Sequence, residues 1–127
     1  MTDSSGLRKA LGKRVTDIWV ITAENPFSKQ LSSEENFERQ RLLYKELSQL
    51  PCEIFDALCE SPDSSWSEIS YAVEVTKETA AQTERDIHRL AREFGQNAVF
   101  RITPEKLAVI STVDEFKSGK NVILHES

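Results

Sequence analysis

Trp66-Ser67-Glu68-Ile69-Ser70-Tyr71-Ala72-Val73-Glu74-Val75 alternates as a strand does. In an extended chain Trp66, Glu68, Ser70, Ala72 and Glu74 point one way; Ile69, Tyr71, Val73 and Val75 point the other. The period then changes. Ala80, Thr83, Ile87, Leu90, Ala91 and Phe94 recur at helical spacing and predict a helix over 77–94, capped by Thr76. Gly95 follows where a helix C-terminus favours positive φ. Upstream, Ser61-Pro62-Asp63-Ser64-Ser65 reads as a turn. Before it, Cys52 to Cys59 carries Ile54, Phe55, Ala57 and Leu58 and reads as a strand, so the two strands form a hairpin. A hairpin that feeds an amphipathic helix is the mark of a mixed α+β layer.

The flanking sequence completes the pattern. Ile18-Trp19-Val20-Ile21-Thr22 is a short β-branched and aromatic run, suited to a central strand buried on both faces. Asn25-Pro26 stops it, because proline lacks a ladder donor and biases its predecessor away from helix. After a loop over 27–31, Ser32 and Glu35 have capping-box spacing, with Ser33 as an alternative cap. The helix should run to about Leu50 and end at Pro51. Asn97 to Thr103 and Lys106 to Ser111 read as two further strands around a Pro104-Glu105 turn. Asn121 to His125 is readable either as a short edge strand or as tail.

The expected order is therefore β-α-β-β-α-β-β. It predicts a two-layer α+β sandwich with two helices packed on one face of a four- to five-stranded sheet, compatible with split βαβ units. Residues 1–14 are expected to form a flexible or short helical arm, 15–111 one domain, and 112–127 a tail or edge strand.

Composition excludes several classes of function. Hydrophobic residues make up 39% of the 127 and charged residues 29%, which suits a globular chain with a real core. A net charge of −5 argues against a dedicated nucleic-acid binder, since phosphate recognition needs a basic face. The basic stretch Arg8 to Arg14 is the one local exception. No apolar run is long enough for a membrane helix, and the N-terminus lacks a signal-peptide core, so a cytoplasmic location is expected. Cys52 and Cys59 lie roughly 23 Å apart along an extended strand, beyond disulfide reach. No P-loop, dinucleotide fingerprint or metal-ligand run is present, so no cofactor and no metal are expected. His88, between Arg85 and Arg89, reads as a solvated helix histidine.

One feature departs from an ordinary core pattern. The stripe Leu43, Leu47, Leu50 of the first helix, extended backward, meets Gln40 and Asn36, with Arg39 one turn from Asn36. A face that is normally buried turns polar toward the helix start.

Here the residues resemble a known family. Ile21-Thr22-Ala23-Glu24-Asn25-Pro26, Ser28, Glu35-Asn36 and Arg39, then Trp66-Ser67-Glu68-Ile69-Ser70, then Phe94-Gly95-Gln96-Asn97-Ala98 resemble, in this order, three signatures of a small bacterial family catalogued as domain of unknown function 3293. The resemblance spans Asp17 to Val109. Two departures are the loop Ser61–Ser65, where the family carries glycine, and a second helix slightly long around Gln82 to Asp86. The resemblance implies a fold and a polar cluster, not a reaction.

Physically, Thr22 to Pro26 leaves the carboxyl end of a strand, where ligand crevices form. Asn36 and Arg39 lie on the first turns of a helix, the end that favours anions. Thr22, Asn25, Ser28, Asn36, Arg39, Trp66, Glu68, Ser70 and Gln96 are therefore the candidate site residues. Their expected role is to hold a small polar ligand or a protein partner without catalysis, in a monomer or small homo-oligomer. The enzymatic alternative is a small hydrolase or transferase, with Glu68 as acid or base and Arg39 clamping an anionic substrate. The structural alternative is a scaffold, with Arg39–Glu68 as an ion pair and the amides bonding to loops.

Overall fold

A computed structural model of the chain describes residues 14–60, 63, 67–112 and 123–126. The expected N-terminal arm, most of the Ser61–Ser65 turn, and Trp66 lie outside the described residues. Described strands are β1 (Val15–Ile21), β2 (Ile54–Glu60), β3 (Ser67–Thr76), β4 (Ala98–Ile102), β5 (Leu107–Ser111) and β6 (Ile123–Glu126). The helices are α1 (Ser33–Leu47) and α2 (Ala80–Glu93), and a short 3₁₀ turn covers Pro26–Ser28.

The strands form one sheet in the order β5-β4-β1-β3-β2-β6, and every neighbouring pair is antiparallel. β3 lies between β1 and β2, so β1-α1-β2 is a split βαβ unit. β1 lies between β3 and β4, which makes β3-α2-β4 a second one. The inner four strands thus have ferredoxin-like topology. β5 and β6 extend its two edges; the C-terminal strand is a sixth, and the sequence had left it open.

Both helices pack on one face. Leu43 and Leu47 of α1 and Ile87, Leu90 and Ala91 of α2 bury against Trp19, Ile21, Val73, Val75 and Val99. The opposite face has its own buried cluster, Ile18, Val20, Ala57, Ala72 and Ile102. β1 is buried from Asp17 onward on both faces, as a central strand should be.

Local chemistry explains the boundaries. Ser32 makes the full capping box with Glu35: its hydroxyl takes the Glu35 N–H, while the Glu35 carboxylate takes the Ser32 N–H. α1 ends at Leu47, a turn before the expected Leu50. Leu50 precedes Pro51, which disfavours helical backbone there, and Ser48–Leu50 close as turns. α2 begins at Ala80 because β3 continues through Thr76, the expected cap. A turn through Thr79 then separates strand from helix, with the Thr79 hydroxyl accepting the Thr76 N–H. α2 closes in a Schellman motif: Gln96 N donates to Ala91 O, Gly95 N donates to Arg92 O, and Gly95 sits at φ +68°. His88 differs from expectation. It is half-buried, with its ring set edge-on to Trp19 at 5.7 Å, because it lies on the flank of α2 that turns toward β1.

Candidate functional site

The site begins where β1 ends. Residues Ala23 to Asn25 leave the sheet, so their backbone groups lose ladder partners while still largely buried. Such groups need replacements, and side chains supply them one by one. Gln40 Oε1 accepts the Ala23 N–H at 2.7 Å. Arg39 Nε donates to Ala23 O at 2.6 Å. The Thr22 hydroxyl accepts the Glu24 N–H at 3.1 Å. Gln96 Nε2 donates to Glu24 O at 3.0 Å. Asn36 Oδ1 accepts the Asn25 N–H at 3.0 Å. Five successive main-chain groups are taken up by five side chains from three separate stretches of sequence.

The same side chains also tie the elements together. Gln40 Nε2 and the Thr22 hydroxyl both donate to Ile69 O at the start of β3, each at 2.7 Å. Arg39 Nη2 donates to Phe94 O, and its guanidinium lies 5.6 Å from the Phe94 ring centre. Gln96 Nε2 donates to Phe94 O as well, and the Thr112 hydroxyl donates to Gln96 O. Asn25 Oδ1 accepts from Leu31 N and from Asn36 Nδ2, both at 3.0 Å. The start of α1, the end of α2 and the end of β1 are therefore one bonded unit.

The loop it holds is strained. Among the described residues Asn25 and Phe27 are the non-glycine residues with positive φ, at +46° and +54°, a conformation that costs of order 1–3 kcal/mol each. Phe27 N donates to Gly95 O at 2.6 Å. A Cβ at position 95 would stand 2.8 Å from Pro26 Cβ and 3.2 Å from the Phe27 ring, so the loop can lie this close only to glycine. The Phe27 side chain nevertheless projects outward, 66% exposed.

Carboxylates complete the picture. Asn25 Nδ2 donates to Glu68 Oε2 at 3.4 Å, and Glu68 is buried. Glu24 is half-buried. Burial pushes its carboxyl above the ordinary value, and a hydrogen bond from the Ile69 N–H pulls it partly back. Burial lowers the basicity of Arg39, but a guanidinium stays charged at neutral pH. Among the described residues Arg39 makes no ion pair; the pairing with Glu68 suggested by their charges gives way to two carbonyls.

Thr22, Asn25, Asn36, Arg39 and Gln96 thus come together on the helix side of the sheet. Glu68 joins them through Asn25 at the sheet end. Ser70 is buried on the other face, in step with Ala72. Ser28 belongs to the 3₁₀ turn, and Trp66 falls outside the described residues. Gln40, noted in sequence only as a polar residue on the stripe, is central. Glu24 and Phe27 were not singled out, and nothing in their local sequence marks a half-buried acid or a left-handed phenylalanine. No group of three or more His, Cys, Asp or Glu able to hold a metal is present among the described residues, and no described helix is long and apolar enough to cross a membrane.

Comparison with known proteins gives three findings. The family model described as a protein of unknown function (DUF3293) matches residues 21–99. No curated protein matches the chain. Among solved structures the chain is similar to a phage SAM lyase in complex with S-methyl-5'-thioadenosine, at 13% identity and a TM-score of 0.42, covering 84% of this chain and 96% of that one.

Proposed function

The chain belongs to the DUF3293 family, and we propose that it is a non-enzymatic binding module whose recognition element is the loop from Thr22 to Ser28. One observation carries this reading. An exposed Phe27 stands on left-handed backbone, on a loop whose main-chain groups are consumed by buried and half-buried side chains from elsewhere. Strain of this kind persists only where surroundings over-determine it. A loop ordered in advance loses less entropy when a small polar ligand or a protein partner arrives. In this reading Arg39, Gln40, Asn36, Gln96 and the internally bonded Asn25 are the frame, while Glu24 and Phe27 meet the partner.

The alternative, a hydrolase or transferase with Arg39 as anion clamp and Glu68 as acid or base, draws less support. Two donors of Arg39 are already spent on Ala23 and Phe94 carbonyls, and Glu68 already accepts from Asn25.

The test places a photo-crosslinking amino acid at position 27, or at the exposed Glu84 of α2, in cells that make the protein. Discrete adducts at 27, absent at 84 and lost on Glu24→Ala, are the expected result. The same adducts at both positions would overturn the assignment.

A further inference from the structure

α1 has a second flank, turned away from Arg39. Phe37 and Tyr44 lie seven residues apart and so share one side of the helix. Phe37 is 71% exposed and Tyr44 47%. Tyr44 rests against Tyr71 of β3, with ring centres 5.4 Å apart and planes tilted by 49°. Tyr71 is fixed from below by donating to Gln40 O. Ile69, two residues earlier on the same side of β3, is 55% exposed. Two carboxylates bracket this surface. Asp56 is the direct cross-strand partner of Tyr71 and is exposed. Glu24 lies on the β1 side, its carboxylate held by the Ile69 N–H. The Tyr71 hydroxyl feels its surroundings: burial first, then Asp56, Tyr44 and Glu24, hold its pKa above the ordinary value. Neither Glu24 nor Asp56 has an ion-pair partner among the described residues. Arg41, one turn before Tyr44, is tied to Glu38 at 2.6 Å, and Lys45 is exposed on the next step of the helix.

We propose that this flank, where Tyr44 and Tyr71 meet between Glu24 and Asp56, receives an arginine or lysine side chain from an extended peptide segment of a protein partner. Aromatic faces carry negative potential and attract cations. The bracketing carboxylates add charge of the same sign, on a chain of net charge −5. Exposed Phe37 and Ile69 offer apolar surface to the methylene stem of a long basic side chain and to its neighbours. From Phe37 to Tyr44 the helix advances about 10 Å. That length suits about three extended residues rather than an isolated ammonium group. The surface meets the Phe27 loop only at Glu24; Tyr44, Tyr71 and Asp56 lie outside that loop, and the inference stands whether or not the loop binds a partner.

The test titrates the isotope-labelled full chain with acetyl-Leu-Arg-Leu-amide, followed by amide NMR. The controls are the same peptide with neutral citrulline in place of arginine, and argininamide alone. Saturable shifts should centre on Tyr44, Asp56, Ile69 and Tyr71. Affinity should fall about three- to five-fold with Asp56→Asn, and at least that much with Tyr44→Ala or citrulline. Raising salt to about 0.5 M should weaken it further. Phe27→Ala should leave it unchanged. No saturable binding, equal binding of the citrulline peptide, or shifts centred elsewhere would overturn the inference. Argininamide binding as tightly as the peptide would overturn the peptide as occupant. Loss on Phe27→Ala with retention in Asp56→Asn would transfer the binding to the loop and overturn it too.

Discussion

Gly95 and Glu24 show how single positions set the terms for their neighbours. Gly95 combines positive φ with a close approach of Pro26 and Phe27. Alanine there pays about 1–2 kcal/mol for left-handed backbone and must also displace a proline ring. Gly95→Ala is therefore expected to lose about 2–3 kcal/mol in urea denaturation, the overpacking adding to the backbone term. Glu24 acts through pH. Its folded pKa is raised by burial above the ordinary 4.5, so the folded state holds this proton more readily than the unfolded one. Its stabilising contribution is complete below the unfolded value and is lost as pH rises through the folded value. Glutamine keeps the acceptor for the Ile69 N–H without the charge. Glu24→Gln should therefore match or exceed the parent at pH 7, by a few tenths of a kcal/mol because about half the group meets water. The difference should close as pH approaches 4, as denaturation midpoints measured across that range will show.

The segment between β1 and α1 is the element whose behaviour depends most on the others. Arg39 bridges two carbonyls, of Ala23 and of Phe94, which no shorter or single-headed side chain can do together. Arg39→Ala should cost about 2–3 kcal/mol, because the buried Ala23 carbonyl and the half-buried Phe94 carbonyl lose a charged donor. Arg39→Lys should recover only part. Hydrogen exchange should speed up at Asn25 and Phe27 in both variants while the centre of α1 stays protected. Ser32→Ala removes only the cap, about 1 kcal/mol, and its exchange should change at the first turn of α1 alone. This contrast marks what could be read in advance. The capping box is a local pattern with both partners in four residues, so it was readable. So was the polar start of the buried stripe, Asn36 and Gln40, because hydrophobic period exposes any exception to it. The partners of those side chains were not readable. They are main-chain N–H and C=O groups, identical at every position, and Arg39 reaches one of them across 55 residues. Charge alone suggested Glu68 for Arg39, whereas the geometry supplies carbonyls nearer at hand.

Across the molecule, element order was readable because each strand and helix announces its own period. The hairpin pairing of β2 with β3 was readable too, from the turn between them, but the neighbours of β1 were not, since it pairs with β3 and β4, both distant in sequence. β6 was the weakest inference for the same reason. It is four residues long, and its place is set by pairing with Ala57–Glu60 of β2 rather than by its own pattern. That placement has a consequence. The ferredoxin-like core β4-β1-β3-β2 is complete without β6, so ending the chain after Val122 should leave it folded. Ala57–Glu60 of β2 would then join Ile54–Asp56 on the open edge, giving a seven-residue strand that carries Ile54, Phe55, Ala57 and Leu58, with Phe55 already exposed. An uncovered apolar edge of that length is a template for pairing with another chain. The shortened protein should keep its circular dichroism spectrum and self-associate with rising concentration in sedimentation velocity, and Leu58→Lys on β2 should restore the smaller species. A shortened chain that sediments like the full one at every concentration would mean that β6 does not guard this edge.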